Sequence, residues 1–313
     1  MTRPYDAVIV GGGPAGLSAA LVLGRCRRRV LLVDAGRPRN AASRGLHGFL
    51  TRDGVDPMEL RRVARRQLSR YDVELVRGEV VQVKPRKGGF VIALGGGRRL
   101  SSRILLFATG VVDRIPALEG LPALYGRSVF HCPYCDGWEV RDRALAVYGR
   151  GKNGAGLALS LKTWSPDVAL LSDGPPRLGP ELRQILAMRR VAVDPSRITR
   201  LDPRRRGLDV VFGNGARRPF GALFFSTGQD HSCNIPRRLG CRFTAKGAIL
   251  TDRLERTGVP RLYVAGDASR DVQLAIVAAA EGAKAAIAIN RELQEEEGLS
   301  LAPLPRSLPN SAG

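Results

Sequence analysis

The residues Ala7-Val-Ile-Val10 run straight into Gly11-Gly-Gly-Pro-Ala-Gly16, and an alanine-rich apolar segment follows through Leu23. A short apolar run, a glycine turn and a helical stretch in that order constrain the fold more than any other feature of the chain. Gly11 suits the tight turn, Gly13 lets backbone approach a pyrophosphate, and Gly16 lets helix and strand pack closely. The helix N-terminus then offers free N–H groups to the anion. A second strand, Val30-Leu-Leu-Val33, ends at Asp34, eighteen residues after Gly16, where a carboxylate suits a ribose hydroxyl.

The same unit recurs. Ala144-Leu-Ala-Val-Tyr148 leads into Gly149-Arg-Gly-Lys-Asn-Gly154 and a helical stretch through Trp164. The next strand, Val168-Ala-Leu-Leu171, ends at Ser172-Asp173, nineteen residues beyond Gly154. Gly149, Gly151, Gly154 and Asp173 stand where a second dinucleotide needs them, although Arg150 and Lys152 crowd this turn. It reads either as a nicotinamide dinucleotide site or as architecture that holds no nucleotide.

Between the units, residues 58–70 space their apolar positions as an amphipathic helix with an arginine face. Val73 to Ala108 reads as a β-meander, with turns at Lys87-Gly-Gly89 and Gly95-Gly-Gly97. Late in the chain a strand ends in Gly266-Asp267, and a long apolar helix follows Val272-Gln-Leu-Ala-Ile. The predicted fold class is α/β, with two Rossmann-like dinucleotide-binding domains and a β-meander in the first.

A length of 313 residues suggests two domains, since single cores stop growing near that size. The N-terminus enters an apolar strand with no separate signal region, and the apolar stretch Leu274 to Ile289 is interrupted by Glu281 and Lys284. A soluble, cytoplasmic chain with no membrane partner is expected. The proline-rich tail from about residue 299 is expected to be disordered. Net charge is +21, and only six of the fifty cations are lysines. The arginines are scattered in short runs, at 27–29, 61–66, 204–206 and 217–218, so nucleic acid is not an expected partner. The charge suits an acidic protein partner or reflects a compositional bias toward arginine.

Residues 131–137 read His-Cys-Pro-Tyr-Cys-Asp-Gly. A Cys132-x-x-Cys135 pair can be half a zinc site, a glutaredoxin-type couple, or a disulfide wired to another cofactor. Structural zinc needs four ligands, and Cys233, Cys241 and histidines 47, 131 and 231 make no second knuckle, so no metal is expected. Cys-Pro-Tyr-Cys fits a glutaredoxin, but no thioredoxin-like start surrounds it. Cys26, Cys233 and Cys241 read as inert thiols.

In this setting the chain resembles the low-molecular-weight thioredoxin reductase family of FAD-dependent pyridine nucleotide-disulfide oxidoreductases, from Tyr5 to about Asn290. The features fall in a fixed order: Gly11-x-Gly13-x-x-Gly16, Ala108-Thr-Gly110, Cys132-x-x-Cys135-Asp136-Gly137, Gly149-x-Gly151, Thr227-Gly228 and Gly266-Asp267. The resemblance implies that Gly11, Gly12, Gly13, Pro14, Ala15 and Gly16 hold the FAD pyrophosphate, with Asp34, Ala35 and Asn40 beyond them. Asp267 would bond the ribityl or pyrophosphate region, and Gln273, Leu274 and Ala275 would lie along the flavin. It implies a discontinuous FAD domain, residues 1–114 and 244–313, and an inserted NAD(P)H-like domain, 115–243, carrying the cysteines. Cys135 would face the flavin and Cys132 would attack the substrate disulfide, with Asp136 moving the proton. His131 would either tune Cys132 or fill a solvent-facing position. A homodimer acting on a thioredoxin-like protein is implied.

One departure concerns the electron donor. NADPH-dependent members carry arginines after the second strand of the second unit, whereas this chain has Ser172-Asp173-Gly-Pro-Pro. A carboxylate there favours NADH over NADPH, or the second unit binds neither. Three functions stay open: reduction of a protein disulfide with a nicotinamide or a different electron donor, oxidation of a small-molecule or protein dithiol with electrons passing to oxygen, and a non-catalytic flavin sensor.

Overall fold

The computed structural model describes residues 3–269 and 272–299. The tail expected to be disordered lies almost wholly outside the described residues. The first sheet contains β1 (Tyr5–Val10), β2 (Val30–Asp34), β3 (Val73–Arg77), β4 (Val80–Arg86), β5 (Gly89–Leu94) and β6 (Arg99–Phe107), in the order β3-β2-β1-β6-β5-β4. Strands β3, β2, β1 and β6 run parallel, β5 pairs antiparallel with β6, and β4 antiparallel with β5. The meander expected from Val73 therefore begins one strand later. β3 extends the parallel layer instead, pairing with β2 from Val30↔Val73 onward, because a helical crossover and not a tight turn joins the two strands.

Alternation explains why these strands read as unbroken apolar runs. Ala7, Ile9, Val30, Leu32, Ile104 and Leu106 face helices α1 (Pro14–Arg25) and α8 (Ala275–Glu296). Val8, Val10, Leu31, Val33, Leu105 and Phe107 face the opposite layer, with Phe90 and Ile92. Both faces are covered, as a parallel sheet requires. Each fully buried side chain of this size contributes about 1.5–3 kcal/mol. Helix α2 (Pro57–Leu68) starts on Asp56, whose carboxylate accepts from the Met58 and Glu59 amides. Helices α1 and α8 pack without a gap: a Cβ on Gly282 would lie 2.0 Å from the Ala15 carbonyl oxygen.

The chain leaves this sheet through β7 (Val111–Asp113), the one-turn helix α3 (Leu121–Leu124) and β8 (Val129–Phe130). The helical turn α4 (Pro133–Asp136), a 3-10 turn Trp138–Val140, β9 (Leu145–Tyr148), α5 (Gly151–Leu161), β10 (Val168–Leu171), α6 (Pro180–Met188) and β11 (Val191–Asp194) follow. A meander of β12 (Ile198–Arg204), β13 (Gly207–Phe212) and β14 (Arg217–Phe220) precedes β15 (Ala222–Phe225). The second parallel sheet has the order β11-β10-β9-β15-β8. Its strands alternate likewise, with Ala146, Ala169 and Leu223 toward the meander and Val147, Leu170 and Phe224 toward α5.

The return strand β16 (Gln229–His231) pairs antiparallel with β7, so a two-stranded ribbon joins the two sheets. The short helix α7 (Ile235–Arg238) then leads to β17 (Leu262–Val264), which pairs with the far half of β6. No helix among the described residues is long and apolar enough to cross a membrane.

Candidate functional site

Three of the four glycines in the first turn are required by the protein itself. A Cβ on Gly11 would meet the Ala108 carbonyl oxygen at 2.2 Å, one on Gly12 the Asp34 carboxyl at 2.4 Å, and one on Gly16 the Gly11 carbonyl at 1.9 Å. Gly13, the residue capping α1, is different: no other protein atom lies within 4 Å of where its Cβ would stand. The turn therefore packs tightly on its inner side and opens at the helix N-terminus, where an anion can approach the amides. Asp34 lies at the end of β2 and is nearly buried. Its carboxylate accepts from the Gly36 amide at 3.0 Å, from Arg61 at 2.6 Å, and from Arg65. Burial works to raise its pKa, but these donors outweigh it and hold the carboxyl below the ordinary range.

Arg61 also reaches the Gly12 carbonyl, at 3.2 Å. The arginine face of the helix is thus not all solvated, because one arginine turns inward to fasten the glycine turn to Asp34. Ala35 lines a cavity of about 270 Å³ with Arg37, Arg77, Gly78 and Glu79, off the carboxyl ends of β2 and β3. A larger cavity of about 710 Å³, walled by Arg256, Tyr263 and Glu292, shares no residue with either glycine turn or the cysteines. Placement at the strand ends makes the smaller one the better candidate for a dinucleotide's end.

Arg39, adjacent to Asn40, joins segments far apart in sequence. It donates twice to Asp113 on β7, at 2.8 and 2.7 Å, and to Asp267 and Gln273 at 2.8 Å each. Gln229 on β16 completes the cluster, donating to Asp113 at 3.0 Å and to Gln273 at 2.8 Å. Burial raises the Asp113 pKa, but Arg39 dominates and keeps the carboxyl below its usual range. Gly266 adopts a positive φ of 83°, and its amide donates to the buried Glu281 of α8 at 2.8 Å. Glu281 thereby aims the Gly266-Asp267 turn toward α1, while Leu274 and Ala275 begin α8 beside it. Sequence reasoning missed Arg39, Arg61 and Glu281 as site residues. Only Glu281 carried a signal, as a lone carboxylate in an apolar helix.

Cys132 and Cys135 are joined in a disulfide, with Cα atoms 5.3 Å apart. Cys132 caps the four-residue α4, and both the Cys135 and Asp136 amides donate back to its carbonyl at 3.2 Å. Gly137 follows because a Cβ there would strike the Trp164 ring at 2.8 Å. Asp136 sits on the same turn, and burial pushes its pKa up to about 7, with the His47 charge lowering it and Glu139 raising it. A carboxyl poised there can both donate and accept a proton near neutral pH. His131 serves neither sulfur directly. Its Nδ1 lies 2.9 Å from the Tyr125 hydroxyl, its Nε2 faces Asp113 at 3.7 Å, and burial pushes its pKa down.

The second glycine turn is closed by its own chain. The Gly151 amide donates to the Pro176 carbonyl at 2.8 Å, and Arg150 donates to the Ser172 carbonyl at 2.6 Å and to the Asp173 carbonyl. The Asp173 carboxylate accepts from the Ile198 amide at 2.8 Å and from the Tyr148 hydroxyl at 3.3 Å. The loop 172–178 thus folds against the first residue of α5, where a Cβ on Gly151 would also meet the Arg177 carbonyl oxygen at 3.6 Å. Among the described residues, no group of three or more His, Cys, Asp or Glu side chains is placed to hold a metal ion.

A family profile described as pyridine nucleotide-disulphide oxidoreductase matches residues 5–282. A protein named "Probable thioredoxin reductase" from Arthroderma benhamiae is 30% identical, with the match covering 93% of this chain and 81% of that protein. Among solved structures, HlmI superposes with a TM-score of 0.90 at 36% identity, covering 95% of each chain. The oxidoreductase from Agrobacterium tumefaciens gives a TM-score of 0.87 at 34% identity, covering 94% of this chain and 99% of that one.

Proposed function

Because the chain belongs to the pyridine nucleotide-disulphide oxidoreductase family and is thioredoxin reductase-like, we propose that it is an FAD-dependent thiol–disulfide oxidoreductase. Its substrate is a thioredoxin-like protein or a small dithiol. One observation carries this reading: a disulfide shares a single helical turn with a carboxyl whose pKa is about 7. Thiol–disulfide exchange needs that combination, since the nucleophile is a thiolate and the leaving sulfur needs a proton.

Residues 1–114 and 244–313 form the FAD-binding part in this reading, and residues 115–243 carry the disulfide. The open space at Gly13 fits a pyrophosphate. Asp34 has one lone pair free for a ribose hydroxyl after its three protein donors. Asp267 and Gln273 border the remaining path of the cofactor, and Arg39 sets their orientation. FAD, when bound, would supply a two-electron carrier. The protein's own residues do the sulfur chemistry. Cys132 forms the mixed disulfide with substrate, Cys135 resolves it, and Asp136 holds or releases the proton at the substrate sulfur.

The closed second turn favours one form of this activity. With Gly151 bonded to Pro176 and Arg150 lying across the loop, a nicotinamide dinucleotide does not find the Gly151 amide free. In that form a dithiol, rather than NADH or NADPH, would be the electron donor at the Cys132–Cys135 disulfide, and bound FAD would supply the route to an acceptor such as oxygen. Anaerobic titration with dithiothreitol, NADH and NADPH, followed by the flavin spectrum, tests both levels. Reduction by the dithiol alone supports the dithiol oxidase form. Rapid reduction by a nicotinamide would instead make the chain a disulfide reductase, and a folded protein that takes up no FAD would overturn the whole reading.

A further inference from the structure

We propose that Arg61 is a positioning residue of the FAD site, holding the peptide that carries the Gly13 amide and the carboxylate of Asp34 as one preformed seat for the adenylate half of the cofactor. This rests on the reading of the first glycine turn as the FAD site. Arg61 comes from α2, outside the strand–turn–helix unit itself, and its side chain is only 6% exposed. A guanidinium buried so deeply must be paired. Nη2 donates to Asp34 at 2.6 Å, Nε donates to the Gly12 carbonyl at 3.2 Å, and Nη1 lies 3.7 Å from the Met58 sulfur.

The Gly12 carbonyl is the informative partner. It shares one planar trans peptide with the Gly13 N–H, and the two groups point in opposite directions. Holding the carbonyl toward α2 therefore turns the Gly13 amide away from α2, at the residue whose Cβ position has no protein atom within 4 Å. Glycines on both sides leave that peptide free to rotate, so the turn needs a hold from outside. The same fork bonds Asp34, so one side chain orients both ends of the seat. A loop ordered before its ligand arrives binds more tightly, because less ordering remains to be done.

Arg65 provides the internal contrast. It stands one turn later on α2 and donates to the same Asp34 oxygen, but its side chain is 44% exposed and its bond is to Asp34, not to the turn. Two guanidiniums on one carboxylate leave a net positive charge beside the turn, which suits a pyrophosphate. A lysine in place of Arg61 keeps the charge, yet offers one nitrogen where the fork offers two.

Equilibrium dialysis of the holoprotein against FAD, with and without ADP as competitor, tests this at a temperature well below every variant's Tm. Arg61→Lys is expected to weaken FAD and ADP by the same factor, about tenfold, since the loss lies wholly on the adenylate side. Arg65→Ala should change either by about twofold at most, as a half-exposed pair contributes little. Leu68→Ala, which opens a core cavity in the same helix, should lower Tm and keep both affinities, so a merely structural role is told apart. An Asp34→Asn background removes both the ribose carboxylate and the charge that Arg61 balances. Adding Arg61→Met there should still weaken FAD and ADP about fivefold further, through the Gly12 carbonyl. Parent affinities in Arg61→Lys, or no added loss in the Asp34→Asn background should Arg61→Lys fail to fold, overturns the role. Equal losses in Arg61→Lys and Arg65→Ala overturn it too, because Arg61 would then act on Asp34 alone. A parent protein that holds no FAD would instead overturn the reading of the turn, and the role of Arg61 with it.

Discussion

The Gly151 amide and the Pro176 carbonyl oxygen are hydrogen-bonded at 2.8 Å, across the mouth of the second glycine turn. The first turn has no such plug at Gly13. Two units with the same strand–turn–helix plan therefore differ at the residue that meets an incoming anion, Gly13 open and Gly151 covered. NADH and NADPH should each reduce the flavin slowly, while dithiothreitol reduces it within seconds, as stopped-flow absorbance will record. Replacing Arg150 and Pro176 together by alanine and glycine should raise nicotinamide affinity, measured by calorimetry, if that loop is the barrier.

Gly13→Ala should leave the apparent Tm of the apoprotein nearly unchanged and yet lower the FAD content from one per chain. Its Cβ meets no protein atom and projects into the opening of the turn. Gly16→Ala should behave oppositely and fail to fold, since its Cβ would overlap the Gly11 carbonyl oxygen. Equal FAD content in Gly13→Ala and the parent protein would place the pyrophosphate elsewhere.

Asp136→Asn should slow thiol–disulfide exchange by about 10²–10⁴ while cofactor and thiols remain. The direction of the pH profile distinguishes the two fluxes. Dithiol oxidation needs the carboxylate and should rise through about pH 7, whereas reduction of a disulfide needs the protonated form and should fall. Stability follows the same group. From the ordinary carboxylate range to about pH 7 the unfolded chain is ionised while the folded chain keeps the proton, so stability falls as pH rises. Urea midpoints of Asp136→Asn should lack that decline.

The two sulfurs should give distinct spectra. Cys132→Ser leaves Cys135 as a free thiolate near the cofactor, and a long-wavelength charge-transfer absorbance is expected. Cys135→Ser should lack the band and keep a Cys132 that iodoacetamide alkylates. The reverse pattern would exchange their roles.

Arg61→Ala should cost about 3 kcal/mol, because breaking a buried pair leaves Asp34 with only the half-exposed Arg65 and the Gly36 amide to compensate. The urea midpoint measures it. The double variant Arg61→Met with Asp34→Asn should lose less, since no charge is then left buried alone.

The α/β class and both strand–turn–helix units were legible because each is a local pattern, written in contiguous apolar runs and glycine spacing. The helix expected over 58–70 appears as Pro57–Leu68 for the same reason. The position of β3 was not legible, since parallel pairing with β2 is set by a crossover rather than by a turn. Within the candidate site, the Cys132-x-x-Cys135 spacing places the two sulfurs, but the surroundings depend on distant partners. Arg39 bonds Asp113 and Asp267, 74 and 228 positions away, and nothing in the residues near Arg39 foretells either. Asp173 reads from sequence as a ribose ligand, yet the Ile198 amide and Tyr148 hydroxyl engage its oxygens.

The Arg39 cluster has a mechanical consequence. Both strands of the β7–β16 ribbon are gripped at once, Asp113 through the guanidinium and Gln229 through Gln273. Any swing of the cysteine-bearing part about that ribbon strains these contacts together, because one arginine bonds Asp113, Asp267 and Gln273 and Gln229 bonds two of the same three. Released, it leaves Asp113 and Asp267 without the guanidinium they share. The ribbon should behave as a catch with two seats, held or let go, and not as a spring that yields by degrees.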